Sequence, residues 1–96
     1  MRDYELTVIY PLEEDQRKAG SEKLLQDLAG AGAELVTTNE MGDRDLAYEI
    51  NKRKRAHYVL YNIKIDPAKI AQVDKIFKLN SNLVKYLFIR KQGSAA

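Results

Sequence analysis

The sequence predicts an α+β domain in which strands and helices follow one another in the order β-α-β-β-α-β. Tyr4 to Tyr10 and His57 to Ile65 alternate apolar and polar residues with a period of two, which is typical of strands with one buried face. Apolar residues at helical spacing, at positions 24, 25 and 28 and again at 70, 73 and 77, predict two helices. With 96 residues, the chain has the length of a single domain.

The first strand and the first helix occupy the N-terminal third of the chain. Pro11 ends the strand, because proline cannot donate a hydrogen bond to a central ladder. The helix extends from about 14 to 31, and Gly30 and Gly32 end it by supplying the positive φ that helix C-terminal caps use. Gly20 lies inside the helix at a cost of about 1 kcal/mol relative to alanine. The strand has one strongly apolar face, formed by Tyr4, Leu6, Val8 and Tyr10.

The middle of the chain predicts a β-hairpin. Residues 34–50 have an extended pattern, and Gly42 marks a bulge or bend within one long strand. Residues 51–56 form a polar tip, and residues 57–65 return as the third strand. One face of the third strand is fully apolar and consists of Val59, Tyr61, Ile63 and Ile65.

The C-terminal third predicts the second helix and the last strand. Asp66 is suited to cap the helix, and Pro67 is suited to its first position. The Asn-Ser-Asn sequence at 80–82 predicts a turn, after which residues 84–90 form the last strand. We expect one domain over residues 1–91, followed by a short flexible C-terminal tail at 92–96.

This order of elements is the ferredoxin-like arrangement. Right-handed crossovers place both helices on one face of a four-stranded antiparallel sheet and leave the opposite face open to water or a partner. The fold names no function by itself. The predicted core combines the apolar faces of these elements and contains Leu6, Val8, Leu24, Leu28, Leu46, Val59, Tyr61, Ile63, Val73 and Phe77.

The composition is that of an ordinary globular protein, with 45% hydrophobic and 31% charged residues. There is no cysteine, which excludes disulfides and thiolate metal sites. No stretch approaches the roughly 20 apolar residues that span a bilayer, and residues 1–5 are too polar for the apolar core of a signal peptide. We therefore expect a soluble protein of the cytoplasm that does not bind membranes.

Charge is divided unevenly between the two halves of the chain. Residues 1–50 carry five Lys/Arg and twelve Asp/Glu, a net charge of −7, whereas residues 51–96 carry eleven and two, a net charge of +9. Such asymmetry indicates a surface that binds a polyanion. The four cations Lys52-Arg53-Lys54-Arg55 at the predicted hairpin tip repel one another, and phosphates would relieve that repulsion. Two simpler interpretations stay open, namely charges that mix again in the fold and a basic turn that is merely solvated.

Four segments carry a resemblance to a known family. The opening Arg-x-Tyr-Glu at 2–5, the signature Gly-x-Arg-x-Leu-Ala-Tyr-x-Ile-x-Lys at 42–52, the segment 55–60 and the closing strand at 84–90 occur in order and without a large gap. Together they resemble the bacterial small-subunit ribosomal protein S6 family. The resemblance implies a ferredoxin-like structural protein of the ribosome, which pairs with ribosomal protein S18 and binds small-subunit ribosomal RNA.

The charge pattern and the resemblance together define two sets of candidate site residues. The RNA-binding set combines the basic tip with cations of the matched signature and of the first and last strands: Arg2, Arg44, Lys52, Arg53, Lys54, Arg55, Arg90 and Lys91. Phosphate contacts of this kind position a protein but do not read sequence. The partner-binding set combines apolar residues of the open sheet face with acids that would attract a basic partner: Glu5, Glu40, Tyr48, Glu49, Tyr58 and Leu60.

Other classes of function fit the sequence less well. His57 is the only histidine, so we expect a local structural role for it and neither a zinc site nor a catalytic triad. An enzyme on this fold would need a cationic, glycine-rich loop after the first strand, where this chain has Pro-Leu-Glu-Glu-Asp at 11–15. We therefore predict no catalysis, no cofactor, no metal and no small-molecule substrate. Two alternatives stay open: a single-stranded RNA binder similar to RNA-recognition motifs, and a regulatory small-molecule module that dimerises through its sheet, in which the basic tip would have no role.

Overall fold

The computed structural model describes residues 2–50 and 52–90 and confirms the predicted order of elements. The four strands form one antiparallel sheet in the order β2-β3-β1-β4. Lys91 and the predicted tail at 92–96 lie outside the described residues. The elements are β1 (Arg2–Tyr10), α1 (Glu14–Gly30), β2 (Glu34–Ile50), β3 (Arg53–Ile65), α2 (Pro67–Lys78) and β4 (Lys85–Arg90).

One hydrophobic core joins both helices to the same face of the sheet. Nine of the ten predicted core residues are buried, and the alternation of β1 and β3 supplies most of the sheet side of the core. Leu46 is the exception, because it lies beyond the bend of β2 and lines a cleft on the other face. The core also buries residues that the predicted core omitted, among them Tyr4, Tyr10 and Ile65.

Gly20, which costs helix propensity, has a packing role in α1. A Cβ atom built on Gly20 would lie 2.6 Å from the backbone oxygen of Asn82, in the turn between α2 and β4. The buried Asn80 side chain donates from Nδ2 to the Gly20 carbonyl oxygen over 3.3 Å. Close approach of a helix to another backbone requires the residue without a Cβ. Gly20 therefore allows α1 to pack against the turn that leads into β4.

Two predicted details of the turns differ in the structure. The hairpin tip is shorter than residues 51–56, because β3 already begins at Arg53, which pairs with Ile50. Lys52 accommodates this tight turn with a φ of 66°. Only Gly32 of the two glycines after α1 has a positive φ, of 80°, and Gly30 is the last residue of the helix.

Strand β2 lies at the edge of the sheet and is irregular along its length. Gly42 has a φ of 86° and stands next to a register shift, which confirms the predicted bend. A larger irregularity follows, because Asp45 pairs with Arg55 and Ile50 pairs with Arg53. Residues 46–49 are thus extra residues opposite a single residue of β3, and we call them the β2 excursion. The excursion explains why Leu46 leaves the core side of the sheet.

Candidate nucleic-acid and protein interfaces

The basic tip consists of residues 52–55, where the turn between β2 and β3 meets the start of β3. Arg53 Nη1 lies 3.1 Å from Glu13 Oε2, and Arg55 Nε lies 2.9 Å from Asp45 Oδ1. Lys52 and Lys54 are exposed and make no ion pair or side-chain hydrogen bond with any residue that the structure describes. The tip therefore presents two exposed ammonium groups and two guanidinium groups that already hold a carboxylate.

The two ion pairs at the tip are accessible to solvent. The side chains of Arg53 and Glu13 are 30% and 51% exposed, and those of Arg55 and Asp45 are 57% and 83% exposed. A hydrogen bond from its own backbone and the Arg53 guanidinium hold the pKa of Glu13 below its usual value, so the carboxylate is charged at neutral pH. Exposed pairs of this kind contribute little to stability. An incoming phosphate can therefore compete with either carboxylate.

The predicted RNA-binding residues lie at two opposite ends of the sheet. Tyr10 of β1 pairs with His57 near the tip, whereas Arg2 of β1 pairs with Ile65 at the far end. Eight residue steps at about 3.3 Å each separate these pairs, a span of about 26 Å. Arg90 pairs with Tyr4 and belongs to the far end as well. The structure therefore joins neither Arg2 nor Arg90 to the tip.

Arg44 lies at the tip end of the sheet. It is exposed and pairs with Ala56, one position before the Asp45–Arg55 pair on β2. Lys85, at the start of β4, pairs with Ile9 at the same end of the sheet and lines the open-face cleft. The tip end thus gathers Arg44 and one cation, Lys85, that the candidate set omitted.

The open sheet face carries an apolar patch around Tyr58 and Leu60. Thr7 stands between Leu60 and Leu87 in the sheet register, and Ile9 stands between Tyr58 and Lys85. Of the large apolar side chains on this face, Leu87 is 55% exposed and Ile89 is 45% exposed. A cleft of about 220 Å³ opens between this face and the β2 excursion, and its lining residues include Thr7, Ile9, Leu46, Ala47, Tyr48, Ile50, Tyr58, Lys85, Tyr86 and Leu87.

Two of the six predicted partner-binding residues, Tyr48 and Tyr58, line this cleft. Tyr48 is 67% exposed and lines the cleft together with Tyr58. Glu49 follows Tyr48 in the excursion and is exposed. Glu5 lies on the open face, since it pairs with Asn62 and Ile89. The open face therefore has apolar residues at its centre and acidic residues near them.

Glu40 does not belong to the open face. It pairs with Val59, a core residue on the helix side of the sheet, and lines a different cleft beside α1. Its Oε1 atom lies 3.5 Å from Nε2 of His57. The register shift between Leu35 and Thr37 determines this placement, because a regular alternation that starts with Leu35 on the helix side predicts Glu40 on the open face.

His57 connects β2 and β3 next to the bend. Its Nδ1 lies 2.8 Å from Asp43 Oδ1, the side chain is 11% exposed, and Asp43 is its cross-strand partner. The hydrogen bond with His57 holds the pKa of Asp43 below its usual value, although partial burial opposes the shift. This contact fits the expected local role of His57. The parts of the chain that the structure describes contain no group of three or more His, Cys, Asp or Glu suited to a metal.

Several residues of both interfaces were missed by the sequence reasoning. The sequence could have placed Leu87 and Ile89 on the open face. They alternate along β4 with Tyr86 and Phe88, whose rings pack against Phe77 in the core. No sequence pattern predicts the contact of Glu13 with Arg53, because 40 residues separate the two and only the fold brings them together. None of the helices within residues 2–50 and 52–90 is long and apolar enough to cross a bilayer.

The sequence and the fold are both similar to known proteins. The family profile described as Ribosomal protein S6 matches residues 3–90. The Small ribosomal subunit protein bS6 of Treponema denticola is 48% identical over 90 residues, which cover 94% of this chain and 97% of that protein. The Small ribosomal subunit protein bS6 of Halalkalibacterium halodurans is 40% identical over 94 residues, which cover 96% of this chain and 99% of that protein.

A solved structure supports the same comparison at the level of the fold. The crystal structure of 30S ribosomal protein S6 from Thermotoga maritima has a TM-score of 0.84 and 19% sequence identity. The similarity covers 94% of this chain and 87% of that chain. The ferredoxin-like fold is therefore confirmed by a solved structure, and the family by sequence matches over nearly the whole chain. The chain belongs to the ribosomal protein S6 family.

Proposed function

We propose that this chain is a structural constituent of the small ribosomal subunit that binds small-subunit ribosomal RNA through its basic tip and ribosomal protein S18 through its open sheet face. The observation that carries the proposal is the separation of the two surfaces. Lys52 and Lys54 extend into solvent at the tip, whereas the apolar patch around Tyr58 and Leu60 lies on the sheet face.

The tip suits a phosphate backbone better than it suits a base edge. Its side chains are cations without an aromatic or amide neighbour in residues 52–55. Cations of this kind neutralise phosphates and release counterions, which makes binding depend on salt. The contacts position the protein on folded RNA, and the fold of the RNA determines which phosphates are within reach.

The RNA surface is tested by reversing the charge of the two exposed lysines at the tip, in the variant K52E/K54E. We expect weaker binding to small-subunit ribosomal RNA and a log–log salt slope that flattens by about 0.7–0.9 for each phosphate that the variant no longer neutralises. The matched control is K69E/K75E, which makes the same change of charge on the exposed side of α2. Equal losses in the two variants would show that net charge, and not the tip, drives binding. Thermal melts of both variants check that the fold is retained.

The open face suits a protein partner with apolar and basic residues. Leu87, Ile89 and Tyr48 are exposed there, and exposed apolar patches with polar rims mark interaction sites. Glu5 and Glu49 lie near the patch and favour a basic partner over an acidic one. The family resemblance supplies S18 as that partner.

The partner surface is tested by calorimetry with purified S18. We expect Leu87→Asp to weaken binding by at least ten-fold, because it places a charge in the centre of the apolar patch. Leu79→Asp is the control, since Leu79 is 83% exposed at the end of α2 and away from the sheet face. Glu49→Lys is expected to weaken binding more than Glu40→Lys, because Glu40 lies on the helix side. Unchanged affinity for Leu87→Asp would place S18 elsewhere.

The single-stranded RNA alternative has one supporting observation, which is that Tyr48 and Tyr58 line the same cleft. Aromatic side chains on an open sheet stack on unpaired bases. Strand β1, however, turns Glu5, Thr7 and Ile9 to this face and supplies no aromatic partner. Loss of binding to short single-stranded RNA in Tyr58→Ala, with S18 binding retained, would favour this alternative.

A further inference from the structure

The two arginines of the basic tip each hold a carboxylate from another part of the chain. We propose that Glu13 and Asp45 compete with RNA phosphates for Arg53 and Arg55, and that they thereby set the affinity and the salt dependence of the tip. RNA then makes its first contacts with Lys52 and Lys54, and the arginines exchange carboxylate for phosphate afterwards. This inference rests on the proposed RNA-binding function of the tip.

The Glu13 carboxylate binds Arg53 at the position where an anionic ligand such as a phosphate would bind. Arg53 Nη1 donates to both carboxylate oxygens of Glu13, over 3.4 Å to Oε1 and 3.1 Å to Oε2. Glu13 immediately precedes α1, so the start of a rigid element holds the carboxylate in place. Carboxylate and phosphate oxygens make the same charge-assisted hydrogen bonds with a guanidinium group. Each group can therefore replace the other at Arg53.

The second pair acts within the hairpin. Asp45 is the cross-strand partner of Arg55, and their side chains meet at 2.9 Å. Asp45 is the last paired residue before the β2 excursion, so its carboxylate stands beside the tip. With both acids in place, two of the four tip cations are neutralised within the protein. The acids also relieve the repulsion between four adjacent cations, which would otherwise oppose folding of the tip.

Because both ion pairs are exposed to solvent, the exchange of carboxylate for phosphate costs little free energy. Both pairs are open to water, and exposed ion pairs contribute little that must be given up when they break. The released carboxylate then lies close to the bound phosphate and repels it. Competition for the arginine and repulsion of the phosphate both weaken binding. The carboxylates therefore lower the affinity of the tip for RNA relative to the same tip without them.

The test uses Glu13→Gln and Asp45→Asn in the full chain, with transcribed small-subunit ribosomal RNA as the probe. We expect each variant to bind about two- to five-fold more tightly at low salt. The salt slope should steepen by at most about 0.7–0.9 for each arginine, in proportion to the fraction of complexes in which the unchanged chain keeps that arginine on its carboxylate. Glu14→Gln is the matched control, because it makes the same change of charge one residue away and has no ion pair with the tip.

A double-mutant cycle separates competition from net charge. When Arg53 is present, Glu13→Gln should raise the affinity for RNA more than Glu14→Gln does. In an Arg53→Gln background the two changes should alter the affinity equally, because the competing pair no longer exists. The same holds for Asp45→Asn in an Arg55→Gln background. Melting temperatures of all variants check that the tip and α1 remain folded.

The possible outcomes separate this inference from the function on which it rests. If K52E/K54E weakens RNA binding but Glu13→Gln and Glu14→Gln behave alike, the tip binds RNA and the competition is disproved. If Glu13→Gln weakens binding, the carboxylate positions Arg53 for RNA, and the proposal is wrong in sign. If K52E/K54E leaves RNA binding unchanged, the tip is not the RNA surface and both proposals fail.

Discussion

Gly20 and Gly30 lie in the same helix, yet the structure predicts opposite effects of alanine at the two positions. At Gly20 a Cβ would meet the Asn82 backbone oxygen at 2.6 Å, whereas at Gly30 nothing lies within 4 Å. We expect Gly20→Ala to destabilise the protein by about 1–3 kcal/mol, since the clash outweighs the gain in helix propensity. Gly30→Ala should stabilise it by up to about 1 kcal/mol. Urea unfolding measures both, and equal effects of the two changes would refute the close approach.

Tyr86 makes the stability of the fold depend on pH in the alkaline range. Its hydroxyl donates to Asp74 Oδ1 over 2.6 Å. Burial, together with the hydrogen bond to this carboxylate, raises the pKa of Tyr86 to about 12. A raised pKa means that the fold favours the neutral phenol. The stability that this phenol contributes is therefore complete below about pH 10 and is lost as the pH rises towards 12.

The prediction is checked by comparing wild type with Tyr86→Phe. Unfolding should be measured between pH 8 and pH 11, where the variant is expected to lose less stability than wild type as the pH rises. Burial also raises the pKa of Tyr10 and Tyr61, so both proteins keep part of the dependence and only the difference reports on Tyr86. Tyr48→Phe is the control, because Tyr48 is largely exposed. An identical pH profile for wild type and Tyr86→Phe would exclude the role of this contact.

At the scale of elements, the helices follow their sequence signals closely. Asp66 Oδ1 accepts a hydrogen bond from the Ala68 N–H over 3.0 Å, which confirms the predicted cap of α2. Leu24 and Leu28 are the leucines through which α1 enters the core. These signals are local, since a cap and a helical repeat are complete within a few residues of one another.

The anchoring of α1 is tested by Leu28→Ala. Leu28 is 3% exposed and belongs to the core, so its truncation leaves a cavity, and we expect a loss of about 2–4 kcal/mol. Leu25→Ala is the comparison, because Leu25 is only partly buried at the edge of the core, and it should cost less. Thermal or urea unfolding that showed no loss for Leu28→Ala would contradict the packing of α1.

The hairpin is the element that local signals describe least well. The alternation of residues 34–50 predicts a strand, and Gly42 predicts its bend, but neither predicts the β2 excursion. The excursion takes Leu46 out of the core and brings Tyr48 to the open face. A register shift changes the side of the sheet on which every following residue lies, so one irregularity alters the placement of a whole segment.

For the whole molecule, the distance between the two basic ends leads to a prediction about additivity. Along the sheet, Arg2 lies about 26 Å and Arg90 about 20 Å from the Tyr10–His57 pair near the tip, too far for direct coupling. If RNA contacts both ends, the losses of binding free energy from Arg2→Glu/Arg90→Glu and from K52E/K54E should add. Each should also flatten the salt slope separately. Unchanged binding of the Arg2→Glu/Arg90→Glu variant would mean that the far end is only a solvated surface.

The sequence by itself determined the family, the order of elements and most of the core. Those features depend on residues close together in the chain or on a motif order that spans it, and the matches with S6 proteins confirm the family. Only the tertiary structure decided how the charges are arranged. It paired Arg53 with Glu13 across 40 residues, separated Arg2 and Arg90 from the tip, and moved Glu40 to the helix side. Charged residues follow no sequence periodicity from which their ion-pair partners can be predicted. The register of the sheet and the position of α1 therefore had to be known first.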